Sequence, residues 1–129
     1  MMIINKFNYK ALARETVSGS RHYLTPNGDK VPSVTTILDK TKPQKDKDAL
    51  NNWRKRVGNK QATNITRVAA NTGTVMHKKL EEHVLGTLTE AGTNIVQQDG
   101  DKMARVVIKE GLCNVSEVWG VEVNLFNSQ

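Results

Sequence analysis

His77 and Glu81 stand four positions apart in Asn71-Thr-Gly-Thr-Val-Met-His77-Lys-Lys-Leu-Glu81-Glu82, a stretch that reads as the start of a helix. Residues at this spacing meet on one helical face. A neutral imidazole beside a carboxylate is a normal pair of ligands for a divalent cation of the Mg or Mn type once further oxygens join them. The same spacing also describes an ordinary surface His–Glu hydrogen bond. Gly73-Thr74, just ahead, would let backbone amides at a helix N-terminus approach a phosphate, or would form a plain helix–helix turn with a Thr cap. Glu82 and His83 are expected to face solvent, and His22 has no evident partner. Metal-assisted phosphodiester hydrolysis needs carboxylates to hold the cation and usually a lysine to orient the water. No Asp-x-Lys or Glu-x-Lys occurs in the sequence.

The charge indicates what such a site would meet. Net charge is +6, and it is concentrated: Thr41 to Leu80 holds Lys42, Lys45, Lys47, Arg54, Lys55, Arg56, Lys60, Arg67, Lys78 and Lys79 against Asp46 and Asp48. A single-sign field of this size favours a polyanion, most commonly nucleic acid. Arg54, Lys55, Arg56, Lys60, Arg67, Lys78 and Lys79 are the candidate phosphate contacts, which hold a duplex or strand without reading its sequence. Helix-turn-helix, zinc-finger, Walker and dinucleotide fingerprints are missing. The single Cys113 excludes an internal disulfide framework, suits a reducing interior, and reads as a small buried hydrophobe. No signal-peptide pattern or long apolar run suggests a membrane. At 129 residues one domain with a modest core is expected.

The elements follow from pattern. Residues 1–34 predict a hairpin or three-strand meander from Tyr9 to Val34, punctuated by Ser18-Gly19-Ser20 and Pro26-Asn27-Gly28-Asp29. Ser33 predicts a cap on a short helix burying Val34, Ile37 and Leu38, stopped by Lys42-Pro43. Residues 35–112 are the helical, DNA-engaging part: Asp46 to Val57 with Trp53 as a core anchor and Gly58 as stop; Gln61 to Ala70; an interruption at Asn71-Thr72-Gly73-Thr74; then Thr74 to Leu85 closed by Gly86. Thr87 to Gly100 reads as a loop with a helix start near Asp99. Lys102 to Leu112 reads as a helix burying Met103, Val106 and Val107. Residues 115–126, strongest over Ser116 to Phe126, predict one long apolar strand that needs neighbours.

Three segments in this order, Arg21 to Leu38 with its Pro-Ser-Val-Thr-Thr-Ile-Leu, Leu50 to Gly58 around Trp53, and Gly73-Thr-Val-Met-His77-Lys-Lys-Leu-Glu81, resemble the N-terminal part of RecB-like exonucleases of the PD-(D/E)XK superfamily. Those of tailed phages are the most similar, and the mitochondrial genome maintenance exonuclease more distantly so. The resemblance covers about residues 21 to 126. It implies that His77 is a metal ligand, Glu81 a supporting carboxylate, and Glu122 a glutamate on the first strand of the nuclease sheet. It also implies Mg or Mn as cofactor and DNA as partner, in the cytoplasm of a phage-infected host. The family's catalytic Asp and its acidic-x-Lys have no counterpart, since no lysine follows Lys109. The expectation is therefore a mixed α/β fold with an incomplete restriction-endonuclease-like core. Such a chain would bind DNA, hold metal weakly if at all, and depend for catalysis on a separately encoded C-terminal half or a second copy. The alternative is a non-catalytic DNA-binding or assembly protein derived from such a nuclease.

Overall fold

A computed structural model describes residues 1–127. In chain order the elements are β1 (Met2–Ile3), β2 (Ala13–Val17), β3 (Ser20–Leu24), β4 (Lys30–Pro32), α1 (Val34–Thr41), α2 (Gln44–Val57), α3 (Asn59–Leu85), α4 (Ile95–Glu110), a 3-10 turn (Leu112–Asn114) and β5 (Glu117–Val118). The architecture is mixed α+β: a small antiparallel sheet, four helices and a short parallel strand pair. Contacts divide it into two compact units, Met1–Asn8 with Val57–Glu122, and Tyr9–Arg56 with the chain from Val123 onward.

In the second of these units the expected meander is present, in the order β2-β3-β4 with both pairs antiparallel. Ser18 and Gly19 both have positive φ, 50° and 78°, as a two-residue hairpin turn requires. Pro32 ends β4 at the sheet's edge, where its missing N–H costs no ladder bond. Ser33 caps α1 as expected: its Oγ accepts from Thr36 N at 3.1 Å. The predicted apolar side of α1 is not buried, however, and Val34 remains 71% exposed. What ties this helix to the sheet is its polar first turn, through Ser33 N to Arg21 O at 3.0 Å and Thr36 Oγ1 to Arg21 O at 3.3 Å. Trp53, expected as a core anchor, is half-buried.

The first unit is organised by α3, a continuous helix of 27 residues. The predicted interruption at 71–74 does not occur. Thr72 and Thr74 turn their hydroxyls back onto Val68 O and Ala70 O, at 2.8 and 3.0 Å, so these side chains find partners without the backbone leaving the helix, although such back-bonding does not itself stabilise it. Gly73 then sits inside a helix at a cost of about 1 kcal/mol relative to Ala. The helix does end at Gly86, with φ 75°. Gly86 N donates to His83 O at 3.1 Å and Thr87 N to Glu82 O at 2.8 Å, the paired bonds of a Schellman terminus.

α4 starts at Ile95, four residues ahead of the start expected near Asp99. A capping box explains the difference: Gln97 N donates to Asn94 Oδ1 at 2.8 Å, and Asn94 N to Gln97 Oε1 at 3.4 Å, so two otherwise unpaired helix-end amides are satisfied. Its buried positions are Gly100, Asp101 and Ala104, whereas Met103, Val106 and Val107, the predicted inward set, are exposed. Backbone proximity accounts for this reversal. A Cβ on Gly100 would lie 2.6 Å from Val75 Cγ1 and 2.9 Å from Thr72 O, so α4 approaches α3 along its small residues.

The long C-terminal strand contracts to β5, which pairs in parallel with β1 in the register Met2↔Glu117 and Ile3↔Val118. Glu122, with φ 50°, leaves the extended path, and no strand is formed from 119 to 127. Cys113, expected buried, is exposed. Among the described residues no helix is long and apolar enough to cross a membrane.

Candidate nucleic-acid interface

The continuity of α3 decides how the candidate residues are displayed. Ala70, Gly73, Thr74, His77, Lys78 and Glu81 recur at three- and four-residue steps and form one stripe of the helix. Together with Glu122 they line an open recess of about 610 Å³ within the first unit. The structure thus brings together the three residues singled out for chemistry, His77, Glu81 and Glu122, although more than forty positions separate the first from the last. Among the described residues, the side chains of all three make no hydrogen bond or ion pair. Glu122 reaches this place in a left-handed backbone conformation that costs a non-glycine residue about 1 kcal/mol or more.

Fit to a cation is a separate matter. Among the described residues no three His, Cys, Asp or Glu side chains are disposed to hold a metal ion together. His77, Glu81 and Glu122 share a recess without converging on a point, so the residues present do not fit a bound Mg or Mn. The anion site expected at Gly73-Thr74 is altered as well. Their amides lie deep inside α3, committed to its ladder, rather than at a free N-terminus.

The basic candidates divide by element. Arg54, Lys55 and Arg56 occupy the last turn of α2. On α3, Lys60, Arg67 and Lys78 are exposed and lie about two and three turns apart, so they share one face over roughly 27 Å of helix. That face adjoins the recess, and Lys78 belongs to both.

Lys79 departs from its expected role. It is 8% exposed, and its ammonium donates to Thr89 Oγ1 at 2.7 Å, Glu90 O at 2.8 Å and Thr89 O at 3.0 Å. With three donors in use, it pins the loop after α3 and has nothing left for a phosphate. Glu82, expected in solvent, joins the same node, accepting from Thr89 Oγ1 at 3.0 Å and Thr89 N at 3.3 Å and lying 3.5 Å from Lys79 Nζ. Its carboxyl is held below the ordinary range, first by the Thr89 backbone amide and then by the Thr89 hydroxyl and the Lys79 charge, against an opposing desolvation. On α4, Arg105 forks onto the buried Asp101 at 2.7 and 3.3 Å, which compensates that carboxylate and is also unrelated to the recess.

A larger apolar groove of about 700 Å³ in the second unit, lined by Tyr23, Val31, Val34 and Phe126 among others, contains none of the candidate residues. Two features of the first unit escaped the sequence reading. One is the Asn94-x-x-Gln97 capping box, visible in principle as its motif. The other is the packing of Lys6 and Phe7 on the Trp119 ring, for which no local pattern exists. Comparison of the chain with protein-family models, with curated proteins and with solved structures gave no match.

Proposed function

We propose that this chain is the DNA-engaging portion of a metal-dependent exonuclease of the RecB-like kind, binding DNA without cleaving it alone. The observation that carries this reading is the adjacency on α3 of two surfaces: a recess holding His77, Glu81 and Glu122 with uncommitted side chains, and the exposed stripe Lys60, Arg67 and Lys78. The stripe has the sign to hold a phosphate backbone, and the recess offers the residue types that phosphodiester chemistry uses. In this reading, the fold is the beginning of a restriction-endonuclease-like core. Cleavage in this reading needs an Asp and an acidic-x-Lys that these 129 residues do not contain, and the setting is the cytoplasm of an infected host.

A second reading, a non-catalytic DNA-binding or assembly protein, is favoured by the failure of His77, Glu81 and Glu122 to converge on a cation position. Both readings require DNA binding that is independent of sequence and sensitive to salt. Each phosphate contact adds roughly 0.7 to 0.9 to the slope of log affinity against log salt. Replacing Lys60, Arg67 and Lys78 with Gln should therefore flatten that slope by about two units or more. A slope unchanged by this triple variant and by the Arg54, Lys55, Arg56 triple would refute binding through either basic element. Metal-dependent cleavage of linear DNA by the pure chain, lost in His77→Ala, would contradict the claim that it does not cut alone. Cleavage restored by adding a polypeptide that bears the Asp and acidic-x-Lys strands separates the first reading from the second.

A further inference from the structure

We infer that the first eight residues act as a strap that positions Glu122 at the recess. This inference concerns how the recess is built and holds whatever the recess binds. The segment after the 3-10 turn has little structure of its own: two residues of strand, then an irregular path to Glu122. The N-terminus supplies its fixings. Met2 N donates to Ser116 O at 3.0 Å and Ile4 N to Val118 O at 2.7 Å. Beyond this pairing, the Lys6 ammonium lies 3.6 Å from the centroid of the Trp119 ring. Phe7 meets the same ring edge-on, with centroids 6.0 Å apart and planes at 74°. Trp119 Nε1 donates to Glu117 Oε1 at 2.6 Å, so the indole is oriented from its own strand as well.

Holding Trp119 limits where Glu122 can go, because three residues span at most about 11 Å even when fully extended. The left-handed φ of 50° at Glu122 points the same way. A non-glycine residue keeps such a conformation only where its surroundings over-determine it, and here those surroundings include a strap contributed from the far end of the sequence. Lys6, Phe7 and Trp119 are thus positioning residues, acting on the recess through Glu122.

The test uses the full chain carrying nitroxide labels at Arg67→Cys and Glu122→Cys, with Cys113→Ser to remove the native thiol. Pulsed electron spin resonance should give one narrow distance distribution. Adding Trp119→Ala, or Lys6→Ala with Phe7→Ala, should widen it at least twofold while the helical circular dichroism and cooperative melting of the chain persist. A distribution equally narrow in both variants, or already broad in the parent, overturns the inference. So does loss of α3 and α4 structure in both variants, which would make the N-terminus part of the unit's core and not a strap. If only Trp119→Ala fails to fold, the Lys6/Phe7 variant decides, since both of its side chains are exposed and their removal leaves the β1–β5 pairing intact.

Discussion

Lys78 and Lys79 are consecutive on α3, yet the first stays exposed at the recess while the second is 8% exposed with its ammonium enclosed by Thr89 and Glu90. The contrast extends along the helix. Toward α4 and the loop that precedes it, polar groups are spent on structure: Lys79, Glu82 and the Thr89 amide form one node. Toward the recess, His77, Glu81 and Glu122 are left uncommitted. About 100° of helical phase per residue separates the two roles. The lesson is that polar satisfaction, rather than residue type, distinguishes a structural charge from one available to a ligand, because a buried charge is tolerated only when its hydrogen bonds are met.

This difference between the faces can be broken most severely at the α3–α4 contact. Gly100→Val places side-chain atoms where even a Cβ would be 2.6 Å from Val75 Cγ1. Overpacking against a helix backbone should cost about 3 kcal/mol, read as a lowered urea midpoint at unchanged slope. Next comes Lys79→Met, which leaves the Thr89 and Glu90 carbonyls and Glu82 without their charged donor. A loss of about 2 kcal/mol is expected, with the salt dependence of DNA binding untouched. A flattened salt slope in this variant would return Lys79 to the phosphate contacts and dissolve the distinction between the faces.

Acid should act through the same structural face. Because the folded Glu82 carboxyl titrates below the ordinary glutamate value of 4.5, its contribution to stability is full above that value and is lost as pH falls through the lower, folded one. Glu82→Gln should therefore make the stability of the chain less steep in pH below about 4.5, measured by denaturant titration across the acid range. The smallest effects belong to the recess face. His77→Ala and Lys78→Gln should each change stability by no more than about 0.5 kcal/mol, while Lys78→Gln lowers the salt slope by about 0.9. A stability loss comparable to that of Lys79→Met would show that the recess residues are structural after all.

Local chemistry made part of this molecule legible without any structure. Turn residues fixed the meander, Ser33 fixed the start of α1, and Gly86 fixed the end of α3, since each of these depends on a few neighbouring residues and on backbone geometry that only certain side chains permit. The four-residue step also placed His77 and Glu81 on one helical face. Tertiary structure decided the rest. Gly73 interrupts nothing in a helix that α4 packs against at Thr72 and Val75. Gly100, buried inside a helix, is where α3 and α4 come closest. The apolar run from Ser116 to Phe126 became a two-residue strand paired with Met2 and Ile3, and the chain has left the extended path by Glu122. Which of two adjacent lysines would face a ligand, and that Glu122 would join His77, depended on contacts made by residues distant in sequence. Periodicity within one segment records the faces of a helix but not what lies against them.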